Sequence, residues 1–520
     1  MQASEVDGTG RTPLTSDRHV LAAAKGGGFL AMGTMFEFAS RFVIAFMLAR
    51  GLGKEDYGAY VLGIAAASLF AGISVLGTDD AMVRYVAILS GRRDEDGVSG
   101  TIQVGLSTAV LGGVLLGAIL FLAAGPVANG LFGAPELVPL LHLFAFVVPF
   151  LAVSNSLIGI ARGFKRMDYE AIGENVVQSL VRMGLVAILF LGGWLTLYGA
   201  AIAFGLSDVA ASVALVWLLH KEFSLRDWAR ASARRDLRAI FGFALPLWVS
   251  GLLRSFRTNI QVFLLGALNT VANVGVFAIA ARINLLATVV SVSIYQASRP
   301  LMAQLHDRKD MRGMHDVYGA TTRWTLMLNV PFFLAMVLYP AALLHVFSNE
   351  FTAGATALAI LAVGQMVSAG TGTCQGMLDM TGHTRAKLAN TIAMSIVLTV
   401  GGLLLIPPWG ITGAAIASML AVTTVNVASL VEVWVLEREQ PYDRTFRKPA
   451  IAAVVALAFG LALRAWIPVG TSFPHALMQG VVIAGVYVAL IAVLGPEPQD
   501  RLVAQRTFAK ARGLARRVGR

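Results

Sequence analysis

The chain has 520 residues, of which 57% are hydrophobic and only 14% charged, with a mean hydropathy of +0.71. A soluble protein carries about 25% charged residues, so this composition excludes an ordinary soluble domain and indicates a polytopic membrane protein. The net charge of +11 could signal nucleic acid, but in a membrane protein it more often marks basic cytoplasmic loops.

Residues 1–24 are polar and are expected to form a disordered cytoplasmic tail. No cleavable signal peptide is visible, because the first apolar stretch is too long for one. Fourteen apolar helices are predicted in an all-α chain. In order they cover 27–49, 57–78, 98–124, 137–161, 171–193, 198–220, 239–265, 272–298, 317–346, 355–380, 386–406, 410–436, 450–467 and 474–494, punctuated by Gly, Pro and charge clusters. They group into a six-helix block over 25–220, a basic cytoplasmic linker over 221–238 and a second six-helix block over 239–436. Two further helices fill 437–495, and a basic cytoplasmic tail runs over 496–520.

Lys and Arg alternate with the loops. The second loop has Arg84, Arg92 and Arg93, the fourth Arg162, Lys165 and Arg166, and the sixth six basic residues from Lys221 to Arg238. Later even-numbered loops repeat the pattern with Arg299, Arg308, Lys309, Arg312, Arg385, Lys387, Arg438, Arg444, Arg447 and Lys448. The opposite loops hold little beyond Arg50 and Lys54. The positive-inside rule then places both termini in the cytoplasm and accounts for the basic balance without nucleic acid. The tail is read as solvated or interfacial, with lipid binding by an amphipathic helix as the alternative.

Two stretches repeat. FMLARGLGKEDYGAYV (46–61) aligns without gaps on FLLGALNTVANVGVFA (263–278), at an offset of 217, with Gly58 on Gly275 and Tyr60 on Phe277. GAAIA at 199–203 recurs at 413–417, an offset of 214. Concordant offsets favour duplication over chance likeness between Ala/Gly-rich helices. Six helices is an even number, so the halves share one orientation and are expected to be related by an axis along the membrane normal.

Seven arginines fall within the predicted spans. Arg323 and Arg464 lie near span ends, where they could snorkel to the headgroups. Arg41, Arg182, Arg254, Arg257 and Arg282 are deep. An Arg at the bilayer centre costs about 2.5–3.5 kcal/mol, so five facing lipid would cost about 15 kcal/mol, comparable to the stability of a whole fold. They must face protein or a wet cavity. Arg254, Arg257 and Gln261 are expected on one face of the seventh helix, Glu174, Gln178 and Arg182 on one face of the fifth, and Glu37 with Arg41 on the first. Arg41 has Glu37 one turn away, and Arg182 has Glu174 and Asp208 as available partners, so structural ion pairs compete with a binding role. Arg254 and Arg257 have no acidic residue in their own span. The count leaves a surplus of positive charge, which suits an anion, and guanidinium favours phosphate through bidentate bonds.

At these residues the chain resembles a family. LARGLGKEDYGAYVL followed by ISVLGTDDAMVRYVA is similar to the opening of the polysaccharide-transporter branch of the MOP flippase superfamily, which includes the O-antigen and exopolysaccharide flippases. ALPLWVSGL (244–252) and IPPWGITGAAIAS (406–418) resemble that branch at the starts of its seventh and twelfth helices. The resemblance runs from about residue 28 to 436. It implies two pseudo-symmetric six-helix lobes in a V-shape, alternating access, and a polyprenyl-diphosphate-linked oligosaccharide moved from the inner to the outer leaflet of the bacterial cytoplasmic membrane. It also implies a cationic cavity, for which Arg41, Arg254, Arg257 and Arg282 are the candidates here, with Arg182 and Gln261 beside them. The acidic residue that the family often has near Asn259–Gln261 is absent, which counts against a sodium site on that helix. Glu37 is the candidate for proton coupling, with a structural pair to Arg41 as the alternative. Membrane lipids and polysaccharide polymerase or assembly proteins are the implied partners.

Other classes are weaker. A drug or cation antiporter on the same fold would be dominated by acidic and aromatic cavity residues. A membrane-embedded polysaccharide polymerase or glycosyltransferase usually needs a sizeable extramembrane loop, and the longest loop here is the basic stretch 221–238. Cys374 is the single cysteine, so intrachain disulfides are excluded, and the eight His show no metal-ligand spacing. AKGGGFLAMG (24–33) lacks the spacing of a P-loop, which leaves an ion gradient, the membrane potential or mass action as the energy source.

Overall fold

The structure of the protein, a computed structural model, describes residues 13–224, 233–442 and 445–495, with side chains from residue 36 onward. The basic tail over 496–520 and the first twelve residues lie outside the described residues. Among the described residues all regular structure is helical. The first helix begins at Pro13, a residue pre-set for the first turn, so residues 13–24 are helical where a disordered tail was expected.

Among the described residues, twelve helices are long and apolar enough to cross a membrane. The difference from the expected fourteen arises in two of them, Phe36–Ser74 and Thr384–Leu436, each of which holds two expected spans. The break inside each is one glycine. Gly53 has φ 75° and ψ −178°, and Gly410 has φ 51° and ψ −124°, conformations that an L side chain rarely adopts.

Three helix ends on the basic loops close in the same way. Arg93, Lys165 and Lys309 all take positive φ immediately after a helix. In each case the next residue donates its N–H back to the helix: Asp94 to Leu89 O at 3.0 Å, Arg166 to Ala161 O at 2.9 Å, and Asp310 to Leu305 O at 2.9 Å. This is the Schellman closure, usually made by glycine. A basic residue there sits at the negative end of the helix dipole, which offsets part of the left-handed strain of about 1–2 kcal/mol. Asp94 and Asp310 then cap the following helix, accepting from Gly97 N and Gly313 N at 3.0 Å.

The chain divides into two compact units at the Gly275–Val276 junction. In the first unit, Met82, Val86, Ile102, Leu157, Ile160 and Leu215 form the main apolar core. The Leu237–Leu268 helix groups with this unit. Tyr85 Oη donates to Ala239 O at 3.0 Å, Trp248 Nε1 donates to Ile73 O at 3.2 Å, and the Arg84 guanidinium stacks 4.4 Å from the Phe243 ring centroid. In the second unit, the Arg447–Trp466 and Phe473–Val493 helices, which lie outside the sequence repeat, bury Ala452, Ala456, Ile483 and Tyr487 against Leu326, Val330 and Leu338.

The repeat has a direct structural counterpart within the first unit. A Cβ on Gly58 would lie 2.0 Å from Val271 O and 2.9 Å from Gly275 N, and one on Gly275 would lie 2.2 Å from Lys54 O. The two glycines paired by the 217-residue offset therefore touch backbone to backbone.

Candidate functional site

The first unit gathers charge from three spans. On the Phe36–Ser74 helix, Glu37 and Arg41 form an ion pair one turn apart. The Met167–Leu191 span opens with a turn of α-helix and continues as π-helix over Ala171–Gln178, where a regular α-helix was expected. Such segments are frequent at functional sites. It carries Glu174 and Gln178 and leads into Arg182. The Leu197–Leu219 helix supplies Ser207 and Asp208.

Gln178 Nε2 donates to Asp208 Oδ1 at 3.0 Å. Arg182 Nε donates to Ser207 Oγ at 3.0 Å, and its guanidinium lies 4.2 Å from the Phe204 ring centroid. Ser207 Oγ passes its own proton to Phe204 O at 2.7 Å. Asp208 is 1% exposed. Glu37, Arg41, Glu174, Arg182 and Asp208 lie close enough to act on one another electrostatically. Arg162 adds a double hydrogen bond to Glu170 on the neighbouring turn before the π-helical segment, at 2.6 and 2.8 Å. Within this group Arg41 and Arg182 are matched by Glu37, Glu174 and Asp208, and the surplus expected over the five deep arginines rests on Arg254, Arg257 and Arg282.

A second group surrounds Arg254. It lines a pocket of 360 Å³ with Asp79, Asp80, Asn155, Trp248 and Thr258. Arg257 and Gln261 do not line it, although they share the Leu237–Leu268 helix. Gln261 is buried and stands about 10 Å further along the helix axis than Arg254, so a shared face does not give a shared depth. Asp79 and Asp80 were missed by counting acids within each span. They fill the first turn of the separate Thr78–Gly91 helix, where the helix dipole favours carboxylates. The signal was present as the paired acids after Gly77 in ISVLGTDDAMVRYVA.

Arg282 belongs to the second unit and is half-buried on the Val271–Asp307 helix. Arg323 is 4% exposed and donates from Nη1 to Thr445 Oγ1 at 2.5 Å, so it is held inside the unit and does not snorkel. Arg464 donates from Nη1 to Leu338 O at 2.8 Å, satisfying a carbonyl in the last turn of its helix, where no partner exists further along that helix. Tyr295 Oη and Lys387 Nζ both donate to Asp379 Oδ2, at 2.8 and 2.7 Å.

Comparison with known proteins adds two family matches. The profile of the polysaccharide biosynthesis protein family matches residues 23–306, more than half of the chain. The MatE profile matches residues 246–418. Among curated relatives, the probable low-salt glycan biosynthesis flippase Agl15 of Haloferax volcanii is 24% identical over 219 residues, 41% of this chain and 45% of that one. Stage V sporulation protein B of Bacillus subtilis is 30% identical over 155 residues, 30% of this chain and 29% of that one. The chain thus matches less than half the length of each of these relatives. Among solved structures, the lipid II flippase MurJ in an inward closed conformation superposes with a TM-score of 0.69 at 13% identity, covering 89% of this chain and 98% of that one. An inward-facing multidrug resistance MATE family transporter of the MOP superfamily gives a TM-score of 0.61 at 17% identity, covering 77% and 94%. At these identities the likeness establishes a shared fold, that of multi-pass membrane transporters.

Proposed function

The chain belongs to the polysaccharide biosynthesis protein family, and from that premise we propose that it is a flippase for polyprenyl-diphosphate-linked oligosaccharide. It carries this substrate from the inner to the outer leaflet of the bacterial cytoplasmic membrane, by alternating access, with both termini in the cytoplasm. The observation that supports the reading most is one of position. Glu37, Arg41, Arg182, Arg254, Arg257, Gln261 and Arg282 all lie inside the family match over 23–306. Charged groups within membrane spans mark substrate or ion pathways by default.

In this reading Arg254 is the first contact for the diphosphate, since it lines a pocket open enough to admit a charged group. Arg257, Arg282, Arg41, Arg182 and Gln261 are proposed to follow along the path. Glu37 holds Arg41 in an ion pair. Protonation of Glu37 would release Arg41 to the anion, which gives proton coupling a physical form. The inside-negative potential also favours outward movement of an anion, by about 2.3 kcal/mol per charge per 100 mV. Membrane lipids surround the path, and polymerase or assembly proteins are proposed to take up the product.

The test is transbilayer movement of a fluorescent polyprenyl-diphosphate oligosaccharide in proteoliposomes. Wild type is expected to expose the probe to an external quencher, and folded Arg254→Ala/Arg257→Ala to lose at least tenfold in rate. Unchanged movement in that variant would remove both arginines from the path. Glu37→Gln separates the two roles of Glu37: coupling predicts lost dependence on the pH gradient, whereas a structural pair predicts lower stability with the dependence kept. A cation antiporter is the second reading, favoured by the MatE match and by Asp79 and Asp80 in the Arg254 pocket. It predicts movement of a cationic dye and none of the lipid.

A further inference from the structure

A groove on the first unit lies away from both charged groups. It runs between the Glu95–Pro126 and Leu237–Leu268 helices, near their first turns, and encloses 590 Å³. Its walls are mostly apolar, with Leu106, Leu237 and Phe241 beside Ser107 and Thr108, whose hydroxyls both donate to Val104 O, and its mouth carries Arg235 and Gln103.

The mouth is built rather than incidental. The chain before the Leu237–Leu268 helix is pressed onto its neighbour at Gly100, where a Cβ would lie 2.0 Å from Arg234 O. Arg234 N donates to Asp96 O at 3.0 Å, and its guanidinium pairs with Asp94. Arg234 is thereby used up within the protein. Arg235 is fixed differently. Its Nε donates to Gln103 Oε1 at 2.8 Å, and its two terminal nitrogens make no hydrogen bond to any described residue. A guanidinium oriented through Nε, with its terminal donors left over, presents a fork matched to a phosphate. Directly beneath it the wall turns apolar and faces outward, with Leu237 53% exposed.

A cation at the mouth of a mostly apolar furrow complements one class of molecule. We propose that this groove binds an anionic phospholipid, its phosphate on Arg235 and an acyl chain along Leu237, Phe241 and Leu106. Basic pockets between spans are the usual seats of acidic headgroups. On the orientation proposed above, the lipid is drawn from the inner leaflet. The site is separate from the transport path and stands or falls independently of the flippase reading.

The experiment uses the full-length protein in neutral detergent micelles containing phosphatidylcholine, followed by native mass spectrometry and thermal unfolding during titration with phosphatidylglycerol. Wild type is expected to retain phosphatidylglycerol in preference to phosphatidylcholine. Arg235→Gln is expected to bind it about fivefold more weakly, the effect of one basic group at a membrane surface. Leu106→Trp keeps the charge but fills the furrow, and should lose the preference too. Arg447→Gln, at a basic loop of the other unit, should change nothing. Equal retention of the two lipids by wild type, full retention by either groove variant, or the same stabilisation by soluble glycerol phosphate would each overturn the proposal. Unfolding temperatures in phosphatidylcholine alone identify any variant that has merely misfolded, and the remaining groove variant then decides.

Discussion

Arg182 and Arg254 meet the same energetic problem with different solutions. Arg182 is half-buried, bonded to Ser207 and stacked on Phe204, with the buried Asp208 next in sequence to its acceptor. Arg254 is exposed to a pocket that carboxylates also line. Removing the partner of a buried charge leaves that charge uncompensated, which costs about 3–5 kcal/mol for buried pairs. Arg182→Met is therefore expected to destabilise the protein by about 3 kcal/mol, the lower bound, because Arg182 reaches Asp208 through its neighbour Ser207. Thermal unfolding in detergent checks this, and adding Asp208→Asn should restore part of the loss. Wild-type stability in Arg182→Met would place Arg182 outside the structural network. The arginines themselves were legible in the sequence, because charge inside an apolar run stands out. The carboxylates that share the Arg254 pocket were not: Asp79 and Asp80 line it from another helix, and only three-dimensional packing brings them there.

Elements were legible to the extent that hydropathy drives them. Long apolar runs between basic loops recur as long apolar helices. Their ends were less so: charge clusters were expected to punctuate the helices along with glycine and proline, but sequence did not show that single basic residues at positive φ close several of the ends. Arg93, Lys165 and Lys309 look in sequence like loop charges for membrane orientation. In the structure they are also the helix stops. Glycine, conversely, sits inside helices that length alone reads as continuous. At Gly53 the backbone has φ 75° with ψ −178°, which is nearly exclusive to glycine. Gly53→Ala is expected to lower stability by about 1–3 kcal/mol, whereas Gly72→Ala, in the same helix with open space around it, should be near neutral. Chemical or thermal unfolding of the two variants compares them directly. Equal stabilities would mean that the segment can straighten at no cost.

At the scale of the molecule, composition and loop charge sufficed for the class, a multi-pass helical membrane protein, and the order of soft motifs sufficed for the family. What no one-dimensional reading could give is which repeated positions meet. Gly58 and Gly275 are 217 residues apart and yet each forms the wall of the other's gap. Two residues in that relation do not have separate tolerances. A methyl group on either one must push the same two backbones apart, at about 1–3 kcal/mol for an overpacked contact. Once they have parted, the second methyl group enters space already made. Gly58→Ala and Gly275→Ala are therefore expected to be costly singly and clearly less than additive together, a coupling that a double-mutant cycle reads from unfolding. Strict additivity would show that the two gaps open independently. The pair is one structural decision written at two places in the chain.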